Sequence, residues 1–255
     1  MPFQPVQPEK LSSAVIRQIE RLILRGVLRP GDRLPSERDL AERLAVSRPS
    51  LRDAIADLQE RGLLTKRAGS GIFVAEVLGS AFSPALVQLF GNHPEAVHDF
   101  LSFRRDMEGL AAERAARHAS NLDLQVIDRA FRRMETTKTR PDPQEEADLD
   151  AAFHMSVIEA SHNVVMLHMM RAMYDLLRQG VMFNRARMFA QNTTREELLA
   201  QHRAINDALQ SRDPRAARQA SEAHLDFIAD AYEAQRKTDR NAETARQRIE
   251  HDTAE

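Results

Sequence analysis

"SERDLAERLAVSRPSLRDAIADLQERG", residues 36–62, decides the fold of the front of the chain. Ser36 is placed to accept a hydrogen bond from the first turn of a helix, and Asp39 suits the positive end of that helix. Leu40, Ala41 and Leu44 follow at helical spacing. "AVS" (45–47) interrupts the pattern after one or two turns. Ser47 can cap a second helix, and Pro49 sits in its first turn, where a missing N–H costs little. Leu51, Ala54, Ile55 and Leu58 then form one apolar stripe, and Gly62 ends it.

The flanks complete a unit. Upstream, Leu11, Val15, Ile19, Leu22 and Ile23 predict a helix over Leu11–Arg25, followed by the loop "GVLRPGDRLPS" with two Gly and two Pro. Downstream, "LLTKRAGSGIFV" (63–74) predicts two short strands around a Gly-containing turn. Helix, short helix, tight turn, helix and β-hairpin make a winged helix-turn-helix, whose second motif helix enters the DNA major groove. Arg48 and Arg52 lie four apart on the face opposite the apolar stripe, with Ser47 and Ser50 beside them. Arginine bonds guanine through two donors, and hydroxyls reach bases or phosphates. Gly69 and Gly71 let the hairpin backbone approach a duplex, with Lys66 and Arg67 alongside. Isolated surface arginines would be unremarkable on a solvated helix; the complete order of elements favours DNA.

Charge is distributed in the same sense. Residues 1–76 carry 13 Lys+Arg against 10 Asp+Glu, whereas the rest carries 23 against 28. A basic front on an acidic body points to an anionic partner for the front alone. The chain lacks cysteine, which excludes disulfides, zinc ribbons and thiol nucleophiles. No apolar run approaches the roughly 18 residues of a membrane span, and "MPFQPVQPEKLSSAV" has no leader-like apolar core. These features predict a cytoplasmic protein with no membrane partner.

The expected organisation is a DNA-binding domain over 1–76, a linker with a short helix over 77–93, an all-α domain over 94–236, and a charged, disordered tail over 237–255. The fold class is mainly α: a winged helix-turn-helix followed by an antiparallel helical bundle. Bundle helices are predicted near 94–118, 121–138, 144–161, 164–190, 194–211 and 214–236, with "TTKTRPDPQ" and "SRDP" as breaks. Met166, Met169, Met170 and Met173 read as a core stripe, and Asn163 as a left-handed helix cap.

One pair within the bundle carries chemistry. Asp150 and His154, in "DLDAAFHMS" (148–156), share a helix face. Their helix also bears Leu149, Phe153, Val157 and Ile158, so the pair lies beside the core. His202 and His224 lie beside apolar stripes of their own helices. Three imidazoles and a carboxylate brought together could hold a divalent metal ion, Zn²⁺, Ni²⁺, Co²⁺, Mn²⁺ or Fe²⁺, with geometry to decide among them. His93, His98, His118, His162, His168 and His251 have nothing that places them together. Arg104 lies beside the Phe103/Met107 stripe, four before Glu108. It could pair with Glu108 along the helix or reach a ligand carboxylate with its planar fork.

"LRPGDRLPSERDLAERLAVSRPSLRDAIADLQERGLL" with "GSGIFV" resembles the DNA-binding domain of GntR-type transcription regulators. That resemblance implies DNA contacts from Arg38, Arg48, Ser50 and Arg52, and a wing-tip glycine at Gly69. "HDFLSFRRDMEG", "DAAFHMSVIEASHNVVMLHMMRAMYDLL", "QHRAINDAL" and "AHLDFI" resemble the FCD ligand-binding domain of the FadR subfamily, and in particular its lactate-, glycolate- and pyruvate-responsive members. The resemblance implies Asp150, His154, His202 and His224 as metal ligands and Arg104 as an effector contact. The expected function is a homodimeric repressor on a palindromic double-stranded operator, released by a small 2-hydroxy or 2-oxo carboxylate. Two other readings are a metal-dependent enzyme fused to a helix-turn-helix, with Glu159 or Glu108 as base, and a regulator whose metal is purely structural.

Overall fold

The computed structural model describes residues 10–76, 83–136, 143–178 and 192–254. It divides into two compact units, Met1–Ala81 and Phe82–Glu255.

The first unit is a winged helix-turn-helix. Its helices are α1 (Leu11–Leu24), α2 (Glu37–Arg43) and α3 (Arg48–Glu60), followed by the strands β1 (Leu64–Arg67) and β2 (Gly71–Val74). Ser36 and Ser47 cap α2 and α3 as expected, accepting from Asp39 N and Ser50 N. Ala45 takes a left-handed conformation (φ 53°) in the turn between them. The strands pair antiparallel from Leu64↔Val74 to Arg67↔Gly71, and an isolated bridge joins Arg33 to Phe73. Val15, Ile19, Leu51, Ile55, Leu58, Leu64 and Val74 fill one core. Leu51 and Leu58 are fully buried, each contributing about 1.5–3 kcal/mol by leaving water.

In the second unit the regular structure among the described residues is all helix. It comprises α4 (Pro84–Asn92), α5 (Pro94–His118), α6 (Asn121–Thr136), α7 (Pro143–Ala160), α8 (Val164–Arg178), α9 (Asn192–Gln210) and α10 (Pro214–Ala254). Helix α10 packs along α5 and α9, α7 lies between α6 and α8, and α5 also meets α7. Gly109 permits the α5–α10 approach: a Cβ there would stand 2.8 Å from Glu222 Cγ. At the start of α10, Asp213 accepts from Arg215 N and Ala216 N, with Pro214 in the first turn. The expected short helix of the linker is α4; residues 77–82 of that linker, most of the "TTKTRPDPQ" break, and the end of the helix expected over 164–190 lie outside the described residues.

Three expectations change. The stretch expected to be disordered from residue 237 continues α10 to Ala254. Low hydrophobicity rightly kept it from a core, since 237–251 is exposed, but helicity does not require one. After Pro214 no Gly or Pro interrupts the run, and Gln235–Asp239 and Gln247–Glu243 bonds span single turns. The methionine stripe is narrower: Met166 and Met170 are buried with Leu167 and Tyr174, and Met173 packs against a neighbouring cluster, whereas Met169 is 51% exposed. The left-handed residue between α7 and α8 is His162 (φ 51°), not Asn163. Asn163 Oδ1 instead accepts from Val165 N and Met166 N, capping the start of α8.

Candidate metal centre and DNA-facing surface

Three helices bring the four expected ligands together. Helix α7 supplies Asp150 and His154, α9 supplies His202 and α10 supplies His224. One potential donor atom from each lies within 4.8 Å of all the others, and every one of these side chains is buried. His154 Nε2 is 3.1 Å from His202 Nε2, and Asp150 Oδ1 is 3.2 Å from His202 Nε2 and 3.8 Å from His154 Nε2. The edge of Phe153 packs against both the His154 and His202 rings.

The outer nitrogens explain which way the lone pairs point. His202 Nδ1 donates to Leu198 O at 2.7 Å, and His224 Nδ1 donates to Gln201 Oε1 at 2.9 Å. His154 Nδ1 lies 2.7 Å from Glu108 Oε2. With their Nδ1 protons given to acceptors, His202 and His224 each turn an unprotonated Nε2 lone pair inward. Burial lowers the pKa of His202 despite the opposing pull of Asp150, and burial with the neighbouring His202 and His154 lowers that of His224 further. His224 Nε2 is buried without a hydrogen-bond partner. Converging lone pairs and a carboxylate repel one another unless a cation lies among them. The residues therefore fit a divalent metal ion: the donor set suits one, and an orphaned buried nitrogen is already aimed at it.

Arg104 is next to this centre and is itself buried, 1% exposed. The two readings of it from sequence do not exclude each other. Its Nε donates to Glu108 Oε1 at 2.7 Å, so the pair along the helix is real. Its Nη2 donates to the Tyr174 hydroxyl at 2.8 Å, and Tyr174 donates to Glu108 Oε1 at 2.9 Å. Burial alone would raise the pKa of the Glu108 carboxyl, but the Arg104 guanidinium outweighs it and holds the group well below the usual carboxylate range. Glu108 thus accepts from Arg104 through Oε1 and sets Oε2 close to His154 Nδ1. The sequence marked Glu108 only as a neighbour of Arg104 and as a possible base; Tyr174, on α8, carried no signal at all. Glu159, the other possible base, bonds Arg171 at 2.9 Å.

In the first unit, Arg38, Arg48 and Arg52 are exposed and Ser50 is half-buried. Arg52 Nε donates to Glu37 Oε2 at 2.8 Å, which fixes the guanidinium across the helix pair. Ser50 Oγ lies 2.9 Å from Ser47 Oγ, so its hydroxyl belongs to the start of α3. Gly69, at the hairpin tip, has φ +70° and open space where a Cβ would stand, and an L side chain there would be strained. Arg67 covers the Phe73 ring at 4.5 Å, so part of its length serves the hairpin.

Comparison with known proteins agrees with this division. Residues 11–74 match the bacterial regulatory proteins of the gntR family, and residues 99–227 match the FCD domain. The chain is 36% identical over 227 residues to the "Putative L-lactate dehydrogenase operon regulatory protein" of Escherichia coli K12, covering 88% of this chain and 86% of that protein. It is 32% identical over 218 residues to the Glc operon transcriptional activator of the same strain, covering 84% and 86%. Among solved structures, Streptococcus agalactiae GntR shares the fold, with a TM-score of 0.53 at 23% identity over 86% of this chain and 98% of that one. No described helix is long and apolar enough to cross a membrane. The chain belongs to the GntR family of bacterial regulatory proteins with an FCD domain, and is a DNA-binding transcription regulator rather than an enzyme.

Proposed function

We propose that this regulator senses a small 2-hydroxy or 2-oxo carboxylate, of the lactate, glycolate or pyruvate type, at a metal held by Asp150, His154, His202 and His224. The observation that carries the reading is that buried set of four, whose potential donor atoms all lie within 4.8 Å of one another beside a buried arginine. Zn²⁺ or Ni²⁺ suits the donors best, with Mn²⁺, Co²⁺ or Fe²⁺ as further candidates. When bound, the metal supplies a Lewis-acidic anchor for an acid's oxygens. The chain's own part is to orient the imidazoles through Glu108, Leu198 O and Gln201, to offer Arg104 to a carboxylate, and to exclude water. The relatives named for lactate and Glc operons support this effector class.

On the DNA side, two copies of the chain would present α3 to the half-sites of a palindromic operator, with Arg38, Arg48, Ser50, Arg52 and Gly69 at the duplex. We assign the sense of control as repression, relieved when the acid binds. A hundredfold loss of operator affinity requires about 2.7 kcal/mol of differential binding between the two states of the protein. A carboxylate bound at both a metal and a guanidinium is an adequate source of that difference.

The test is thermal melting of metal-loaded and chelator-stripped protein with L-lactate, D-lactate, glycolate, pyruvate and citrate. An acid at 100 times its Kd should stabilise the loaded form by about 2.7 kcal/mol and leave the stripped form unmoved. Loss of stability on stripping, with no response to any acid, would instead make the metal structural.

A further inference from the structure

Few groups set the charge of the buried centre. Among the described residues, the buried Arg, Asp, Glu and His side chains are Arg104, Glu108, Asp150, His154, His202 and His224, and all six belong to this one cluster. Arg104 contributes one positive charge and Glu108 and Asp150 one negative charge each, while histidines that serve as ligands are neutral. These six described residues therefore carry one net negative charge, and a divalent ion turns that into one net positive charge. Arg105, the nearest cation along α5, is 36% exposed and bonds Asp226 at 2.6 Å, so water and its own partner balance it.

In water, a second carboxylate tightens an acid's hold on a divalent ion. Inside a protein the balance differs, because a site left with net charge bears a desolvation cost that pairing must offset. One remaining positive charge is matched by one carboxylate and exceeded by two. We propose that Glu108 sets this charge count, and so restricts the metal-loaded centre to acids carrying a single negative charge. This rests on the metal–carboxylate reading above.

The position of Glu108 fits that role. One oxygen accepts from Arg104 Nε at 2.7 Å and from the Tyr174 hydroxyl at 2.9 Å, and the other lies 2.7 Å from His154 Nδ1. Its contacts are with the groups that would hold the acid. It acts through them as a positioning residue, neutralising Arg104 before any ligand arrives. Without its charge, Arg104 and the metal would together offer a dianion its match.

Malonate and malonamate provide the probe, since they are of one size and differ by one charge and by an amide nitrogen in place of one oxygen. Calorimetric titration of metal-loaded, full-length protein, with metal content measured afterwards, gives both affinities. The wild type should bind malonamate about tenfold more tightly than malonate, the reverse of the order in water. Glu108→Gln should move the ratio toward malonate by about tenfold, and Glu108→Asp, which keeps the charge, should restore it. A wild type that prefers malonate overturns the proposal whatever the variants do, including a variant that fails to fold. Equal weakening of both acids in Glu108→Gln also overturns it, leaving Glu108 a packing role. If monoacids such as glycolate bind but charge is not discriminated, only this inference falls. If no acid binds the loaded wild type, the effector reading falls and takes this inference with it.

Discussion

The two units treat charge in opposite ways. In the first, Arg38, Arg48 and Arg52 stand in water around a core of aliphatic side chains, and none of its described polar or charged residues is buried. In the second, an arginine, a glutamate, an aspartate and three histidines are each at most 3% exposed. Cations at a surface cost the fold little and are free to meet phosphate. Buried ionic groups are expensive unless paired, and replacing them with well-packed apolar groups is often neutral or stabilising. The first unit thus keeps its charges out of its core, whereas the second devotes part of its core to a buried ionic cluster.

The largest effect should come from breaking the buried pair on one side. Arg104→Ala leaves Glu108 with only its Tyr174 and His154 contacts, and should destabilise the second unit by about 3–5 kcal/mol in chemical denaturation. Substituting both partners, Arg104→Met with Glu108→Leu, should recover part of that loss while the response to acid stays absent. If Arg104→Ala proved as stable as the wild type, the contrast between the units would not hold.

A smaller pair of effects should separate them functionally. Arg52→Ala should weaken operator binding roughly ten- to a hundredfold by fluorescence anisotropy, because the proposed two-donor base contact is lost, and should leave metal affinity unchanged. His154→Ala should do the reverse, abolishing metal binding and the effector response while operator affinity in the absence of acid stays close to wild type. Parallel loss of both activities in either variant would argue against the division of labour.

The different legibility of the units follows from the same contrast. The first unit announces itself along the chain: Ser36 and Ser47 cap, Gly62 stops and Leu51/Ala54/Ile55/Leu58 pack, all through interactions within a few residues. The metal centre was half legible. The i,i+4 spacing of Asp150 and His154 is local, but the arrival of His202 and His224 depends on how α9 and α10 pack; apolar stripes on their own helices make them candidates, and the family resemblance joins them to the pair. The groups that aim the imidazoles were hidden for the same reason. Glu108 meets His154 from another helix, and Gln201, adjacent to His202 in sequence, serves His224 instead. The helical continuation to Ala254 was missed because composition reports whether a segment can build a core, not whether it can coil.

The smallest effect tests whether the first unit is as locally determined as this implies. Ser47 accepts from Ser50 N at 3.3 Å and its hydroxyl lies 2.9 Å from that of Ser50, so one side chain both starts α3 and holds a residue assigned to the duplex. Ser47→Ala should cost about 1 kcal/mol, the usual worth of an N-cap, seen as a shift of the first unit's unfolding midpoint. Ser47→Asp restores the cap acceptor but places a carboxylate where phosphate would approach. It should therefore recover the stability and weaken operator binding further, increasingly so at low salt, where like charges repel over a longer range. Recovery of both together would mean that the start of α3 stands away from the DNA, and the assignment of Arg48 and Ser50 to the operator would have to be abandoned.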